Sequence, residues 1–319
     1  MSMKALERHL EPLQPFLQMD GVTEICINQP RRVFVERQGV FTHHEVDELE
    51  YPLLQTLAAL VAEFNSQDYP VPLVSGSLPN GERVQFVLPP ATEAGKVACS
   101  IRRHQMRTLS LIDYEAAGSF AGSEAQISAD TNLTALYRNG QYLEFIKQAI
   151  LARKNILICG GTGTGKTTFL NACLKEVPKH ERLITVEDTR EVSVDHTNVA
   201  HLLFNDNDAA IHSRNIFKAC LRLRPDRIFL SELRGAEVWS YLRAANSGHP
   251  GSISTVHADT SEGAFQQIVF MMQQAGSSST EEQLMNYIKS IIHVVVQLKR
   301  DPACFVRVDK VWFGDQKHI

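Results

Sequence analysis

No apolar run in this 319-residue chain approaches the roughly 20 residues that cross a bilayer as a helix. The longest candidates are short segments such as Ile291-Ile292-His293-Val294-Val295-Val296, which read as strand. A C-x-x-C pair is also lacking. Cys26, Cys99, Cys159, Cys173, Cys220 and Cys304 are scattered, which argues against a zinc ribbon or a disulfide framework, suits a reducing compartment and reads as a set of buried thiols. Neither charge sign dominates: the formal net charge is −4, so no global basic field argues for nucleic acid, and no sequence-specific nucleic-acid contact is expected. The start of the chain lacks the continuous apolar stretch of a secretory signal, and a cytoplasmic location follows as the expectation. There is no internal repeat, and the one low-complexity tract, Gly276-Ser277-Ser278-Ser279, reads as a loop before a helix starting near Thr280.

What remains is a soluble globular composition, 44% apolar and 21% charged, at a length that accommodates two domains. Residues 1–112 read as a mixed α/β domain. Ala5, Leu6, His9, Leu10 and Leu13 follow helical spacing, for packing on the chain's own domain or on a membrane surface or partner. Val22 to Asn28 alternates like a strand, residues 32–41 form a hairpin turned at Gln38-Gly39, and Tyr51 to Phe64 is a helix. Asn80-Gly81 turns into a strand from Arg83 to Leu88, which Pro89-Pro90 ends, and Val97 to Ile101 runs back. Residues 113–133, rich in Ala, Gly, Ser and acids, read as a linker. Across 134–319 short apolar strands alternate with helices (Asn155 to Cys159, Leu183 to Glu187, Arg227 to Ser231, Ser252 to Val256, Val294 to Leu298), the rhythm of a nucleotide-binding α/β sheet.

The first of these strands runs into Cys159-Gly160-Gly161-Thr162-Gly163-Thr164-Gly165-Lys166-Thr167-Thr168, a complete P-loop. Backbone N–H groups must converge on phosphate oxygens, and side chains at Gly160, Gly163 and Gly165 are expected to obstruct that approach. The expected nucleotide-binding set is Gly161, Thr162, Gly163, Thr164, Gly165, Lys166, Thr167 and Thr168, with Lys166 on the β/γ-phosphates and the Thr167 hydroxyl on Mg²⁺. The P-loop alone does not separate ATP from GTP.

Three further segments belong with it. Arg227 to Ser231 is an apolar strand ending at Glu232, a Walker B acid that holds Mg²⁺ through water or orients the attacking water. Residues 182–191 deliver Glu187, Asp188 and Glu191 within five residues, an acid density that a Mg-nucleotide offsets. His257 follows the strand Ser252 to Val256 and reads as a γ-phosphate sensor or as a structural hydrogen-bonding group. His43-His44 reads as a solvated pair.

In this order and spacing the boxes resemble the secretion ATPase superfamily of type II and type IV secretion motors and type IV pilus motors. The similarity includes the P-loop, the acidic box Ile184 to Glu191, residues 221–235 around Walker B, the histidine box, and the amino-terminal segments 78–85 and 100–103. It spans nearly the whole chain. Type II secretion ATPases usually carry a tetracysteine module, which is lacking here, and pilus motors usually read Gly-Glu-Met-Arg-Asp at Walker B. The run Ser231-Glu232-Leu233-Arg234-Gly235 followed by Glu237 is closer to the compact Vir-type ATPases of type IV secretion and conjugation systems, although serine stands at 231 where glycine is usual.

The resemblance implies an α/β protein with an amino-terminal mixed α/β domain and a carboxy-terminal RecA-like P-loop domain, assembled as a hexameric ring. It implies hydrolysis of ATP with Mg²⁺ between the domains, powering transport or pilus assembly. The implied partners are further copies of the chain and the inner-membrane ATPase and coupling components of the secretion system, with peripheral association at the cytoplasmic face of the inner membrane. Lys166, Glu187, Glu191, Glu232 and His257 are the expected catalytic set, with Glu191 on the attacking water, Glu232 in the Mg²⁺ shell, and Thr167 and Asp188 also on the metal side. The family's amino-terminal-domain arginines map to Arg83 and Arg102, with Arg103 as an alternate, and are implied to reach the phosphates when the domains close. A type IV pilus motor or type II secretion ATPase, a DNA translocase and a non-hydrolysing assembly scaffold are the competing readings.

Overall fold

The computed structural model describes residues 2–103, 110–120 and 124–314. The amino-terminal part is built from α1 (Ser2–His9), α2 (Gln14–Leu17), β1 (Val22–Gln29), β2 (Arg32–Arg37), β3 (Val40–Glu45), α3 (Tyr51–Phe64), β4 (Leu73–Ser77), β5 (Arg83–Val87) and β6 (Ala98–Arg102). Then come α4 (Leu111–Ala116), α5 (Glu124–Arg138) and α6 (Tyr142–Leu151). The carboxy-terminal part follows as β7 (Ile156–Cys159), α7 (Lys166–Lys175), β8 (Leu183–Glu187), β9 (Val199–Leu203), α8 (Ser213–Cys220), β10 (Arg227–Leu233), α9 (Glu237–Ala245), β11 (Ile253–Val256), α10 (Ser261–Gln274), α11 (Glu281–Ile291), β12 (Val294–Asp301) and β13 (Phe305–Phe313).

The first six strands form one antiparallel sheet in the order β3-β2-β1-β6-β5-β4. Its two faces do different work, because strand residues alternate. Ile25, Ile27, Val33, Val35, Val84 and Phe86 point into a core closed by Leu6, Leu10 and Leu13 of the first turns and by Leu54, Leu57, Ala58 and Val61 of α3. The amino-terminal helix therefore packs on its own domain. On the opposite face Glu24, Asn28, Glu36, Gln85 and Ser100 are buried polar groups.

The second sheet has the order β13-β12-β7-β11-β10-β8-β9, parallel except for the antiparallel edge strand β13. Helices cover both faces: residues of α8, α9, α10 and α11 pack on one, residues of α5, α6 and α7 on the other. Parallel strands buried on both sides carry continuous apolar runs, which is why Ile156-Leu157-Ile158 and Ile228-Phe229-Leu230 were legible in the sequence. A buried ion pair anchors the amino edge of this sheet: Arg227 donates to Glu181 through Nε at 2.6 Å and through a terminal nitrogen at 3.0 Å. Removing one partner of such a pair strands the other charge and costs about 3–5 kcal/mol.

The two sheets meet through the polar face of the first. The fully buried Arg182 guanidinium donates to Asn28 Oδ1 at 2.8 Å, to Asn198 Oδ1 at 2.5 Å and to the Leu223 carbonyl at 2.8 Å. Arg224 pairs with Glu36 and with Asp226. Further along, Thr92 bridges to Leu202 and donates its hydroxyl to the His201 carbonyl at 2.7 Å, while Arg190 lies 3.7 Å from Glu93. Val87, Ala91 and Ala98 join the core of the second sheet.

Several local expectations need correction. Residues 113–133, read as a linker, carry the end of α4 and much of α5, and residues 121–123 lie outside the described residues. Leu133 of α5 is buried in the core with α6 and α7, and Leu136 and Tyr137 pack beside it, so the end of a largely polar run docks the helix. Ile291, read as strand, closes α11. β4, β9 and β13 went unrecognised because Leu73-Val74-Ser75-Gly76-Ser77 and Val199-Ala200-His201 are not apolar runs, and Phe305 to Phe313 alternates on a half-exposed edge. Cys304 is exposed, whereas the other five thiols are buried as expected. His43 and His44 lie against the Phe34 and Phe16 rings, each at 5.0 Å between centroids.

His201 gives the fold a pH dependence. Burial, reinforced by Arg190 and opposed by Glu93, pulls its imidazole down to about 4. The folded value lies below the unfolded one of about 6.5, so this contribution is complete above pH 6.5 and is lost as the pH falls toward 4. Burial also lowers His196 and His249, so each adds loss in the same direction. Urea titration at pH 7 and pH 4.5 is expected to show His201→Gln losing about 2–3 kcal/mol less stability over that interval than the parent. Equal losses would show that His201 protonates without penalty.

Candidate active site

The carboxyl ends of β7, β8, β10 and β11 converge on one edge of the second sheet, and they deliver the P-loop, Asp188, Glu232 and His257 respectively. The P-loop leaves β7 at Cys159, and Gly163 and Gly165 take positive φ of 70° and 77° before α7 begins at Lys166. The glycines have a steric reason different from the one expected. A Cβ at Gly160 would meet the Thr164 hydroxyl at 2.5 Å and the Leu298 carbonyl at 2.8 Å, one at Gly163 would meet Arg300 at 2.2 Å, and one at Gly165 would meet Val306 at 3.2 Å. The loop is closely packed by its own protein as well as open to a phosphate. Thr164 is turned inward, its hydroxyl donating to the Gly161 carbonyl at 2.9 Å, whereas Thr162, Gly163 and Thr168 are exposed.

Lys166 is buried under the loop. Its Nζ donates to the Gly160 and Gly161 carbonyls at 3.1 and 3.2 Å and lies 3.1 Å from His257 Nδ1. Burial lowers its pKa and the Glu232 carboxylate opposes that shift. His257 Nε2 is in turn 2.7 Å from Glu232 Oε1. On the other side of that carboxylate Arg234 donates to Glu232 Oε2 at 2.7 Å and to Asp188 Oδ2 at 2.6 Å. Burial works against the charged Arg234, yet its bonds to Glu232 and the charges of Glu232, Asp188 and Glu191 raise its pKa. The result is a continuous polar chain, Lys166–His257–Glu232–Arg234–Asp188. Arg234 is a member that sequence reasoning left without a role, although its place two residues beyond the Walker B acid was the available signal.

The acidic box divides into two kinds of residue. Glu187 is fully buried and accepts from the backbone N–H groups of Glu191 and Val192 at 2.8 and 2.7 Å, from Thr185 Oγ1 at 2.8 Å and from Arg190 at 2.6 Å. These hydrogen-bond donors lie in its own strand and loop, and they hold the 188–192 segment in place. Glu191 is exposed and its Oε2 accepts from the Thr167 hydroxyl at 3.4 Å, which brings it beside the first turn of α7. Asn171 fastens the same loop by accepting from Ser193 N–H at 3.0 Å. Glu237, buried at the start of α9, accepts from the N–H groups of Arg234 and Gly235, at 2.7 Å for the latter, and so sets the turn that carries Arg234.

Arg83 and Arg102 lie away from the P-loop in this structure. They face each other across β5 and β6 and line a cleft with Leu221 and Arg222, which follow α8 on the way to the amino end of β10. The P-loop lies at the carboxyl end of the parallel strands, so within one chain the arginines and the phosphate loop occupy opposite edges of the sheet. Arg102 pairs with the buried Glu24 at 2.8 Å, and the alternate, Arg103, donates to the Met19 carbonyl at 2.6 Å. The second phosphate-loop arginine that sequence reasoning missed is Arg300, whose Nε donates to the Gly163 carbonyl at 3.0 Å from the end of β12. Nothing local in the sequence distinguishes it.

Among the described residues no helix is long and apolar enough to cross a membrane. The family model described as Type II/IV secretion system protein matches residues 7–313. The chain is 36% identical over 304 residues to the type IV secretion system protein VirB11 of Brucella suis biovar 1, covering 91% of this chain and 84% of that protein. It is 35% identical over 327 residues to the type IV secretion system protein PtlH of Bordetella pertussis, covering 98% and 96%. The crystal structure of the VirB11 ATPase from the Brucella suis type IV secretion system in complex with sulphate superposes with a TM-score of 0.90 at 33% identity, covering 98% of this chain and 95% of that one. With a complete P-loop, a Walker B acid and a polar chain linking them, the chain belongs to the Type II/IV secretion system protein family and is a type IV secretion traffic ATPase.

Proposed function

We propose that this ATPase works as a hexameric ring at the cytoplasmic face of the inner membrane, coupling Mg-ATP hydrolysis to movement of its amino-terminal domain and powering transport or pilus assembly. Its partners on this reading are further copies of itself and the inner-membrane ATPase and coupling components of a type IV secretion system. The observation that carries the reading is the Lys166–His257–Glu232–Arg234–Asp188 chain, which joins the phosphate loop to both acidic strands through direct contacts. Each member of it lies within 3.1 Å of the next. A triphosphate entering the loop competes for Lys166 and thereby disturbs His257 and Glu232, so the presence of the terminal phosphate is transmitted along the sheet edge.

The roles follow from position. Lys166 leaves the Gly160 and Gly161 carbonyls for the β/γ-phosphates, and backbone N–H groups of the loop and of the amino end of α7 receive phosphate oxygens. Among the described residues no three His, Cys, Asp or Glu side chains gather into a protein-only metal group, which suits an ion shared with nucleotide and water. Thr167, Asp188 and Glu232 would hold that Mg²⁺, which supplies charge neutralisation on the transferring phosphoryl group. Glu191, beside Thr167 and exposed, is assigned to the attacking water. Glu232 is assigned to the metal shell, with Arg234 and His257 holding its two oxygens apart. Glu187 acts by positioning the loop that carries Glu191. His257 touches both Lys166 and Glu232 and is assigned to sensing the γ-phosphate.

Lys166→Ala is expected to lose most hydrolysis, on the order of 100-fold or more in kcat, and much nucleotide affinity, because the cation on the β/γ-phosphates is removed. Near-normal turnover in a steady-state phosphate-release assay would sink the assignment. Glu191→Gln and Glu232→Gln are expected to keep Mg-ATP binding while each lowers kcat by at least about tenfold. If both variants bind and turn over like the parent, neither carboxylate takes part in the chemistry.

The cleft position of Arg83 and Arg102 assigns them to a nucleotide only through domain movement or from a neighbouring copy. Hydrolysis measured together with mass in solution, with and without Mg-ATP, tests this. Arg83→Ala/Arg102→Ala is expected to lower turnover in the assembled ring and to leave the monomer's nucleotide binding within about twofold. A ring of the double variant that turns over at the parent rate would make these residues surface cations.

A further inference from the structure

β12 outruns its partner. It pairs in parallel with β7 from Val294 to Gln297, where β7 ends at Cys159, and then continues through Leu298, Lys299, Arg300 and Asp301 paired with β13 alone. The hairpin tip therefore projects past the carboxyl edge of the sheet and lies over the P-loop. Arg300 Nε donates to the Gly163 carbonyl at 3.0 Å, and the hairpin approaches the loop so closely that a Cβ at Gly160 would meet the Leu298 carbonyl at 2.8 Å and one at Gly165 the Val306 methyl at 3.2 Å. None of these residues is used by the chemistry described above. At the tip Phe305 is 75% exposed and holds a left-handed φ of 66°, a conformation that an aromatic residue adopts at a cost.

The placement of this hairpin has a direction. His257, Glu232 and Asp188, with Lys166, mark the end of the site where the terminal phosphate is attacked, and the first three come from the β11, β10 and β8 flank of β7. β12 lies on the opposite flank. A nucleotide stretched along the loop with its γ-phosphate among those residues carries its ribose and base away from them, toward the hairpin. The hairpin tip on that flank carries an exposed apolar ring, Phe305, and an exposed guanidinium, Arg300, whose present acceptor is a P-loop carbonyl. An aromatic face packs on any nucleobase, and an arginine donates to ribose hydroxyls or to the α-phosphate.

We propose that the β12–β13 tip forms the base-side wall of the nucleotide site, with Phe305 packing on the base and Arg300 exchanging the Gly163 carbonyl for the ribose and α-phosphate. The wall distinguishes a nucleoside triphosphate from a bare triphosphate, a distinction that the P-loop itself does not make. Exchange by Arg300 also frees Gly163 as the loop fills, which links binding of the base to relaxation of the phosphate cradle. This rests on the P-loop being the nucleotide site.

Calorimetric titration of the full chain with Mg-ATP and with Mg-tripolyphosphate separates the two claims. The parent is expected to bind both, with ATP the tighter. Phe305→Ala is expected to weaken Mg-ATP by about tenfold and Mg-tripolyphosphate by less than about twofold. Arg300→Ala is expected to weaken Mg-ATP by roughly fivefold with the same sparing of tripolyphosphate, and Arg300→Lys to recover only part of that loss. Phe305→Trp adds a direct reading, since its fluorescence is expected to change with Mg-ATP and stay constant with Mg-tripolyphosphate. All the substituted side chains are exposed, and circular dichroism of each variant checks that it folds. A parent that binds neither ligand refutes the nucleotide site on which the proposal stands. A parent that binds both, with variants that keep the full preference for ATP or lose both ligands equally, overturns the base-side wall alone and makes Arg300 a brace of the P-loop.

Discussion

The guanidinium of Arg182 is the charge around which the two sheets are arranged. It is fully buried, and its acceptors come from both sides of the interface: Asn28 from the first sheet, and Asn198 and the Leu223 carbonyl from the second. A buried cation tolerates little displacement of its acceptors, because losing one leaves charge in a medium that cannot solvate it. The relative position of the sheets is thereby tied to the amino edge of β8 and β10. Arg224 with Glu36 and Asp226 extends the same polar layer, and it explains why the inner face of an otherwise ordinary antiparallel sheet carries Glu24, Asn28 and Glu36 in buried positions.

At the other edge of the same strands the logic reverses. There the charged groups are exchangeable, since Arg234 bridges Glu232 and Asp188 while being more than half exposed, and His257 is similarly open. Water and an incoming phosphate can both replace those partners. One sheet thus holds a buried polar layer where it meets the first sheet and an exposed one beside the phosphate loop. The contacts of Thr92 with His201 and of Glu93 with Arg190 join the first sheet's connecting loop to β9 and to the acidic loop.

The candidate site was legible in the sequence to the extent that its chemistry is carried by consecutive residues. The P-loop, the Walker B strand and the acidic box each consist of an apolar run followed at once by functional groups, and the α/β fold brings such run-ends together without further information. Arg234 sat inside one of these boxes, and its contacts with Asp188, 46 positions earlier in the chain, emerge only from strand order. Glu187 looked like Glu191 in the sequence. Its burial under four donors and the exposure of its neighbour came from the turn of the backbone at 188–192.

By itself, then, the sequence determined the two-part α/β organisation, the phosphate loop and the acids that accompany it, because local apolar patterning and the steric demands of glycine act within a few residues. Tertiary structure alone decided that β9 and β13 would edge the sheet, that α5 would dock through Leu133, that Arg83 and Arg102 would lie at the far edge from the P-loop, and that Arg300 would touch Gly163. Each of those outcomes depends on contacts between residues far apart in the chain. Their energies come from burial and charge pairing that exist only once the sheets are packed, and no local pattern encodes them.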